Sequence, residues 1–258
     1  MRLMKRILSA AAVLALSASL LVGCSSGTAS SVPVSASSAA ESTVSSVEET
    51  ASSAVDENEA AAAQLLNDLT GSYQELWPVI LADEYKQTWL DDCTALVGED
   101  NAEAAFEKLS SMVTSDVYGE DAVKAYANGG GAYFCGFTNS LATLTFDGET
   151  STISGTDKDG NVLFSHTYHY IGMEPVHGLY EFESDDADSG EFTYFFLAPD
   201  TSAETYHIEF RYGSDAEALS QYDAGEYAYW VASGISTDCD QTMIDNCIEL
   251  FCTENLAG

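Results

Sequence analysis

The chain has 258 residues, with 8 Lys+Arg against 42 Asp+Glu and a formal charge of −34. So acidic a balance excludes nucleic acid, whose phosphates would be repelled, and electrostatic docking on anionic lipid. Apolar residues at 46% and aromatics at 11% exclude a wholly disordered chain, and the length admits one sizeable domain with extensions.

Met1–Arg6 is basic, and the apolar Ile7–Val22 follows. That is the layout of a secretory signal, shorter than a comfortable membrane span. Leu21-Val22-Gly23-Cys24 resembles the lipobox of bacterial lipoproteins, which implies cleavage after residue 23 and acylation of the Cys24 thiol. The predicted partner is therefore a membrane, reached through a lipid anchor at Cys24, with the chain on the extracytoplasmic face. Two or three acyl chains hold a protein on a bilayer far better than one. Without the first 23 residues the chain carries 5 basic and 42 acidic side chains, a charge of −37. Residues 25–58 hold 12 Ser and 6 Ala with no aromatic residue, so the stretch from 24 to 58 reads as a flexible linker and 59–258 as the folded domain.

From Ala60 to about Val97 the pattern is helical. Leu66, Leu69, Tyr73, Leu76, Trp77 and Ile80 recur at three- and four-residue steps, and Pro78 predicts a kink or break. A second helix is predicted over Ala102–Met112. After Gly129-Gly130-Gly131 the rhythm changes to short strands: Ala132–Phe137, Leu141–Phe146, Ser151–Gly155, Val162–Ile171, Leu179–Glu183, Phe192–Ala198 and Thr205–Tyr212. Turn signals such as Asp147-Gly148 and Asp159-Gly160 separate them. Seven strands at hairpin spacing predict a small antiparallel barrel or sandwich. The C-terminus returns to helix, capped by Ser236 or Thr237, with Met243, Ile244, Cys247, Ile248 and Phe251 in one stripe.

Five cysteines remain beside Cys24: Cys93, Cys135, Cys239, Cys247 and Cys252. Export permits disulfides, but the odd number leaves at least one thiol free or paired outside the chain, and no C-x-x-C or metal-type spacing occurs. Buried, inert thiols are the expectation. The acidic segments 157–161 and 185–191 lack the EF-hand's glycine and closing glutamate, so they read as solvated turns. Nucleophile-elbow, phosphate-loop, zincin and dinucleotide motifs are all missing, and the prediction is a binding protein, not an enzyme.

Leu66–Pro78 resembles the opening of the ZinT family of bacterial extracytoplasmic zinc-binding proteins, Leu-x-Asp-Trp-x-Gly-x-Trp-Gln-Ser-Val-Tyr-Pro, with Leu69 and Tyr73 in place of the two Trp. Tyr168–Gly172 resembles the family's Tyr-x-Tyr-x-Gly strand and Gly178–Glu183 its Val-Arg-Tyr-Leu-Phe-Glu strand. Phe192–Pro199, Thr205–Phe210 and Gly225–Ile235 follow in the family's order. The resemblance covers 65 to about 252 and implies a lipocalin-like (calycin) barrel with flanking helices, a mainly β, α+β fold. It also implies zinc or another divalent metal as the bound species, and association with a metal ABC-transport system.

The family's three zinc imidazoles fall on Phe195, Thr205 and His207, so the resemblance retains one of three. Zinc takes four donors. On a strand, Thr205, His207 and Glu209 share a face, and His166 shares one with Tyr168 and Tyr170. His207, His166 and Glu209 are therefore the candidate metal ligands, while His169 reads as a surface residue and His177 as lying near a turn. The first functional expectation is a lipoprotein that captures a divalent metal for uptake. The alternative is a calycin-type module for a small organic ligand or protein partner, its metal site lost and its mouth made apolar by Tyr194, Phe195 and Phe196.

Overall fold

The computed structural model describes residues 57–257. The predicted signal segment, Cys24 and the linker up to residue 56 lie outside the described residues. No described helix is long and apolar enough to cross a membrane.

The core of the molecule is a closed antiparallel barrel of eight strands in sequence order. They are β1 Gly71–Glu75, β2 Thr143–Asp147, β3 Thr152–Thr156, β4 Val162–Met173, β5 Tyr180–Ser184, β6 Tyr194–Leu197, β7 Ile208–Gly213 and β8 Ala232–Ser236. The up-and-down order, closed by β1 pairing with both β2 and β8, is that of a calycin-like barrel with flanking helices. Helices α1 (57–68), α2 (Leu76–Ile80), α3 (Lys86–Val97), α4 (Glu99–Ser111) and α5 (Glu120–Ala127) precede β2. Two single turns, α6 (Ser202–Thr205) and α7 (Ala216–Leu219), flank β7, and α8 (Gln241–Leu256) closes the chain.

Six of the seven predicted strands are present with shifted ends. The seventh, Ala132–Phe137, is an extended segment that makes isolated bridges from Phe134 to Thr114 and Trp230. Two strands were hidden. The helical spacing of Leu69, Tyr73 and Leu76 conceals β1, whose backbone groups are used to join β2 to β8; tertiary pairing overrides local propensity there. The predicted break at Pro78 comes earlier, at Thr70. Pro78 sits in the first turn of α2, where its missing N–H is not needed. The glycine- and serine-bearing 232–236 run carries almost no strand signal, yet forms β8. Helix α5 was also unforeseen. Asp240, rather than Ser236 or Thr237, caps α8, its carboxylate accepting from the Met243 amide at 2.9 Å.

Alternation sorts the strands into lumen and outside. Phe164, Tyr168, Phe195, Phe210 and Tyr212 point inward, with centroids 5.4 Å apart for Tyr168–Phe195 and for Phe195–Tyr212. Phe192 stacks on Phe164 at 4.0 Å, and Phe137 meets Phe210 at 5.4 Å. Each such ring contributes roughly 1.5–3 kcal/mol by leaving water. Gly155 makes room for this packing: a Cβ there would lie 2.4 Å from both Leu141 and the Phe164 ring. The lumen is a core and not a cup.

Candidate functional site

His207 lies at the junction between α6 and β7. Tyr206 takes a left-handed conformation (φ 66°) to end the helical turn, which swings His207 beneath α8. The imidazole is 1% exposed. Its Nδ1 pairs with the Thr205 carbonyl at 2.6 Å, while the Thr205 hydroxyl donates to the His207 carbonyl at 2.9 Å. Phe251 packs against the ring at 5.1 Å, and the Cys247 Sγ is 3.9 Å from Nδ1. Burial pushes the imidazole pKa down to about 4, against the opposing pull of the Thr205 carbonyl. His207 is therefore neutral at physiological pH.

Glu209 follows on the same outer face, opposite Ser233 of β8. Burial, then the carboxylates of Asp200 and Glu254, push its pKa up to about 8. Burial also raises the Cys247 thiol, with smaller contributions from Cys239 and Glu209. A buried imidazole and a half-buried carboxyl thus lie on the barrel face covered by α8, which contributes the buried Cys247 thiol, each in its neutral form near pH 7.

His166 stands elsewhere. It has the parity of Phe164 and Tyr168, on the inner face of β4, with its ring 5.9 Å from Phe164. Its Nδ1 pairs with Asp186 at 2.8 Å. His207 and Glu209 occupy the outer face of β7, so the barrel wall separates them from His166. Among the described residues no three His, Cys, Asp or Glu side chains gather as a metal-holding group. The expected set of His207, His166 and Glu209 is not brought together; the two-residue period that aligned each strand's residues does not tell which side of a closed wall each row occupies. Thr205 is likewise corrected, from a strand residue to the last residue of α6. Phe195 fills the lumen, whereas Phe196 is its outward neighbour and Tyr194 reaches Glu183 at 3.1 Å, so the three do not line one apolar mouth.

His169 pairs with Asp185 at 2.7 Å on the half-exposed outside, in keeping with a surface role. His177 is in the turn after β4 but is buried, its ring 3.7 Å from that of Tyr222.

A buried polar network was missed by sequence reading. Arg211, 0% exposed on the outer face of β7, donates to the carbonyls of Leu219, Tyr227 (2.5 Å) and Gln221 (3.2 Å) and lies 4.2 Å over the Tyr222 ring. Glu174, also fully buried, accepts from the amides of His177 (2.6 Å) and Val176 (2.9 Å) and sits 3.5 Å from His177 Nδ1. Burial alone would raise the Glu174 carboxyl; these hydrogen bonds outweigh it and hold the pKa below the ordinary range. The available signal was composition: Arg211 is the sole arginine beyond position 6, and it interrupts an apolar strand.

No protein-family profile and no curated protein matches the sequence. Among solved structures, the chain is similar to the Zn(II)-bound ZinT-like domain of Streptococcus pneumoniae AdcA, at 15% identity and a TM-score of 0.45, over 71% of this chain and 89% of that one. Its likeness is to a ZinT-like domain. Zn(II)-bound AdcA from Streptococcus pneumoniae is similar at 15% identity and a TM-score of 0.42, over 70% of this chain and 34% of that one; the chain spans about a third of that protein. The zinc belongs to those structures.

Proposed function

We propose that this chain is an extracytoplasmic lipoprotein, tethered through Cys24, whose barrel is a non-enzymatic binding module working through its acidic outer surface. In this reading the position of the one retained imidazole has become structural. The observation that carries it is the setting of His207: sealed under Phe251 and Cys247, hydrogen-bonded to Thr205, and separated by the barrel wall from His166. A single imidazole held this way does not supply the tetrahedral donor set that zinc requires. The aromatic filling of the lumen equally leaves the interior as packing, which directs recognition of a partner to the outside.

A zinc titration of the full chain by calorimetry tests the reading. The expected result is no saturable heat at submillimolar zinc. One-to-one binding that disappears in His207→Ala would overturn it. The anchor is tested separately by radiolabelled palmitate in a bacterial host, which should enter the wild-type chain and not Cys24→Ala.

One observation favours a second reading, in which the protein takes up a divalent metal, zinc in the first instance, and passes it to a metal ABC-transport system. His207 and Glu209 lie on the side of the barrel that α8 covers, and α8 itself carries Cys247 3.9 Å from the imidazole, so three ligand types stand near one another without forming a closed donor group. Binding there would displace the Thr205 contact and expel protons from Glu209 and Cys247, so affinity would climb steeply with pH. The same titration repeated at pH 6 and pH 8.5 separates the two readings.

A further inference from the structure

Helix α3 packs along α8, and the seam between them holds two thiols. Cys93 and Cys252 are each 0% exposed, and their sulfur atoms are 3.8 Å apart. They come from positions 159 residues apart, so their meeting is a product of the tertiary fold alone. The other described thiols are placed differently: Cys247 faces His207, Cys239 is only partly buried, and Cys135 is buried behind Ser233 and Trp77. The seam also carries like charge. Asp92 of α3 faces Glu249 and Asp245 of α8, and burial together with these carboxylates raises its pKa. Electrostatics therefore push apart the two helices that the thiols join.

We infer that Cys93 and Cys252 form a disulfide that staples α8 to α3. A sulfur–sulfur bond needs the atoms to approach to about 2.05 Å, which side-chain rotation supplies when the thiols already touch. The bond forms by exchange with a small-molecule or protein disulfide as oxidant. One Cys thiolate attacks that disulfide and expels a thiolate, and the second Cys then attacks the mixed disulfide and expels the other. The two cysteines lose two protons and two electrons in total, and the oxidant leaves as two thiols. Because burial disfavours the thiolate at both positions, exchange takes place while α8 is docking and not after the seam has closed. The bond locks the helix that covers His207 and closes a loop of more than 150 residues, a length at which cross-linking removes much chain entropy from the unfolded state. It goes beyond the functional proposal and does not depend on it, since the test is made in vitro.

The full chain, reduced and unfolded, is refolded in a mixture of reduced and oxidised glutathione, then alkylated in denaturant and mapped by peptide mass. The expected product joins the Cys93 and Cys252 peptides, with Cys24, Cys135, Cys239 and Cys247 alkylated. The oxidised protein should melt about 5–10 °C above the same protein in dithiothreitol. The Cys93→Ala/Cys252→Ala variant, whose small apolar side chains suit the site, should show no such dependence on reductant. Alkylation of both cysteines after oxidative refolding, or a majority of either joined to a different cysteine, would overturn the assignment. So would a double variant that keeps the full reductant-dependent shift.

Discussion

His207, at the entry to β7, and Glu209, within it, stand two residues apart on the barrel's outer side, and burial moves their protonation equilibria in opposite directions, to about 4 and about 8. Between those values both are uncharged, which lets a buried imidazole and a half-buried carboxyl sit side by side on the helix-covered face of the barrel.

Together the two groups should stabilise the fold most between about pH 4.5 and 6.5, with stability falling on either side, toward about 4 and toward about 8. The folded state lowers the His207 pKa below its ordinary 6.5, so His207 contributes its full share above pH 6.5 and loses it as pH drops through about 4. That share is about 3 kcal/mol. Glu209 is raised instead, so the folded state holds its proton more tightly than the unfolded chain. Its contribution is greatest below pH 4.5 and is lost as pH rises through about 8. Urea unfolding from pH 4 to 9 should show His207→Gln flattening the acid limb and Glu209→Gln flattening the alkaline limb.

Arg211 should tolerate no replacement. Removing the guanidinium leaves the carbonyls of Leu219, Gln221 and Tyr227 without their donor and Tyr222 without its stacked cation. Arg211→Met is expected to lower stability by about 3–5 kcal/mol in denaturant titration. Arg211→Lys should recover little, because an ammonium lacks the planar fork that serves three carbonyls at once.

Replacing Phe195 tests the sidedness of the barrel. Phe195→Ala should cost about 3–5 kcal/mol through the cavity left among Phe164, Tyr168, Phe210 and Tyr212. Phe195→His should also destabilise and should create no zinc affinity by calorimetry, since the new imidazole enters the lumen while His207 faces outward. Tight one-to-one zinc binding by that variant would contradict the assignment of the two faces.

The cap of α8 offers a gentler perturbation. Asp240→Ala removes the acceptor of the Met243 amide and should cost about 1 kcal/mol, read as a lower melting temperature. Asp240→Asn should restore most of the loss.

Much of the architecture was legible because a strand that faces a core on one side writes a period-two pattern, as in Thr143–Asp147 and Ile208–Gly213. The strands that escaped are those whose reason is remote. β1 exists because β2 and β8, far along the chain, offer it hydrogen-bonding edges, and Gly234 suits β8 because a Cβ would crowd Ile208 and Tyr73. The site was harder. Local spacing put His207 and Glu209 in one row and His166 beside Tyr168, but a period of two gives rows without assigning inside or outside. The Arg211–Glu174–His177 network draws on three separated segments, and only the isolated arginine hinted at it.

The seam between β1 and β8 has a consequence for how the molecule is built. Residues 71–75 are an early part of the domain and residues 232–236 a late one, so the ring stays open until almost the whole chain has emerged. Until then the first strand has an unsatisfied edge and the aromatic interior faces solvent. A nascent chain of this design is vulnerable for most of its synthesis and secure only at its final step, when the last strand arrives and α8 follows it into place.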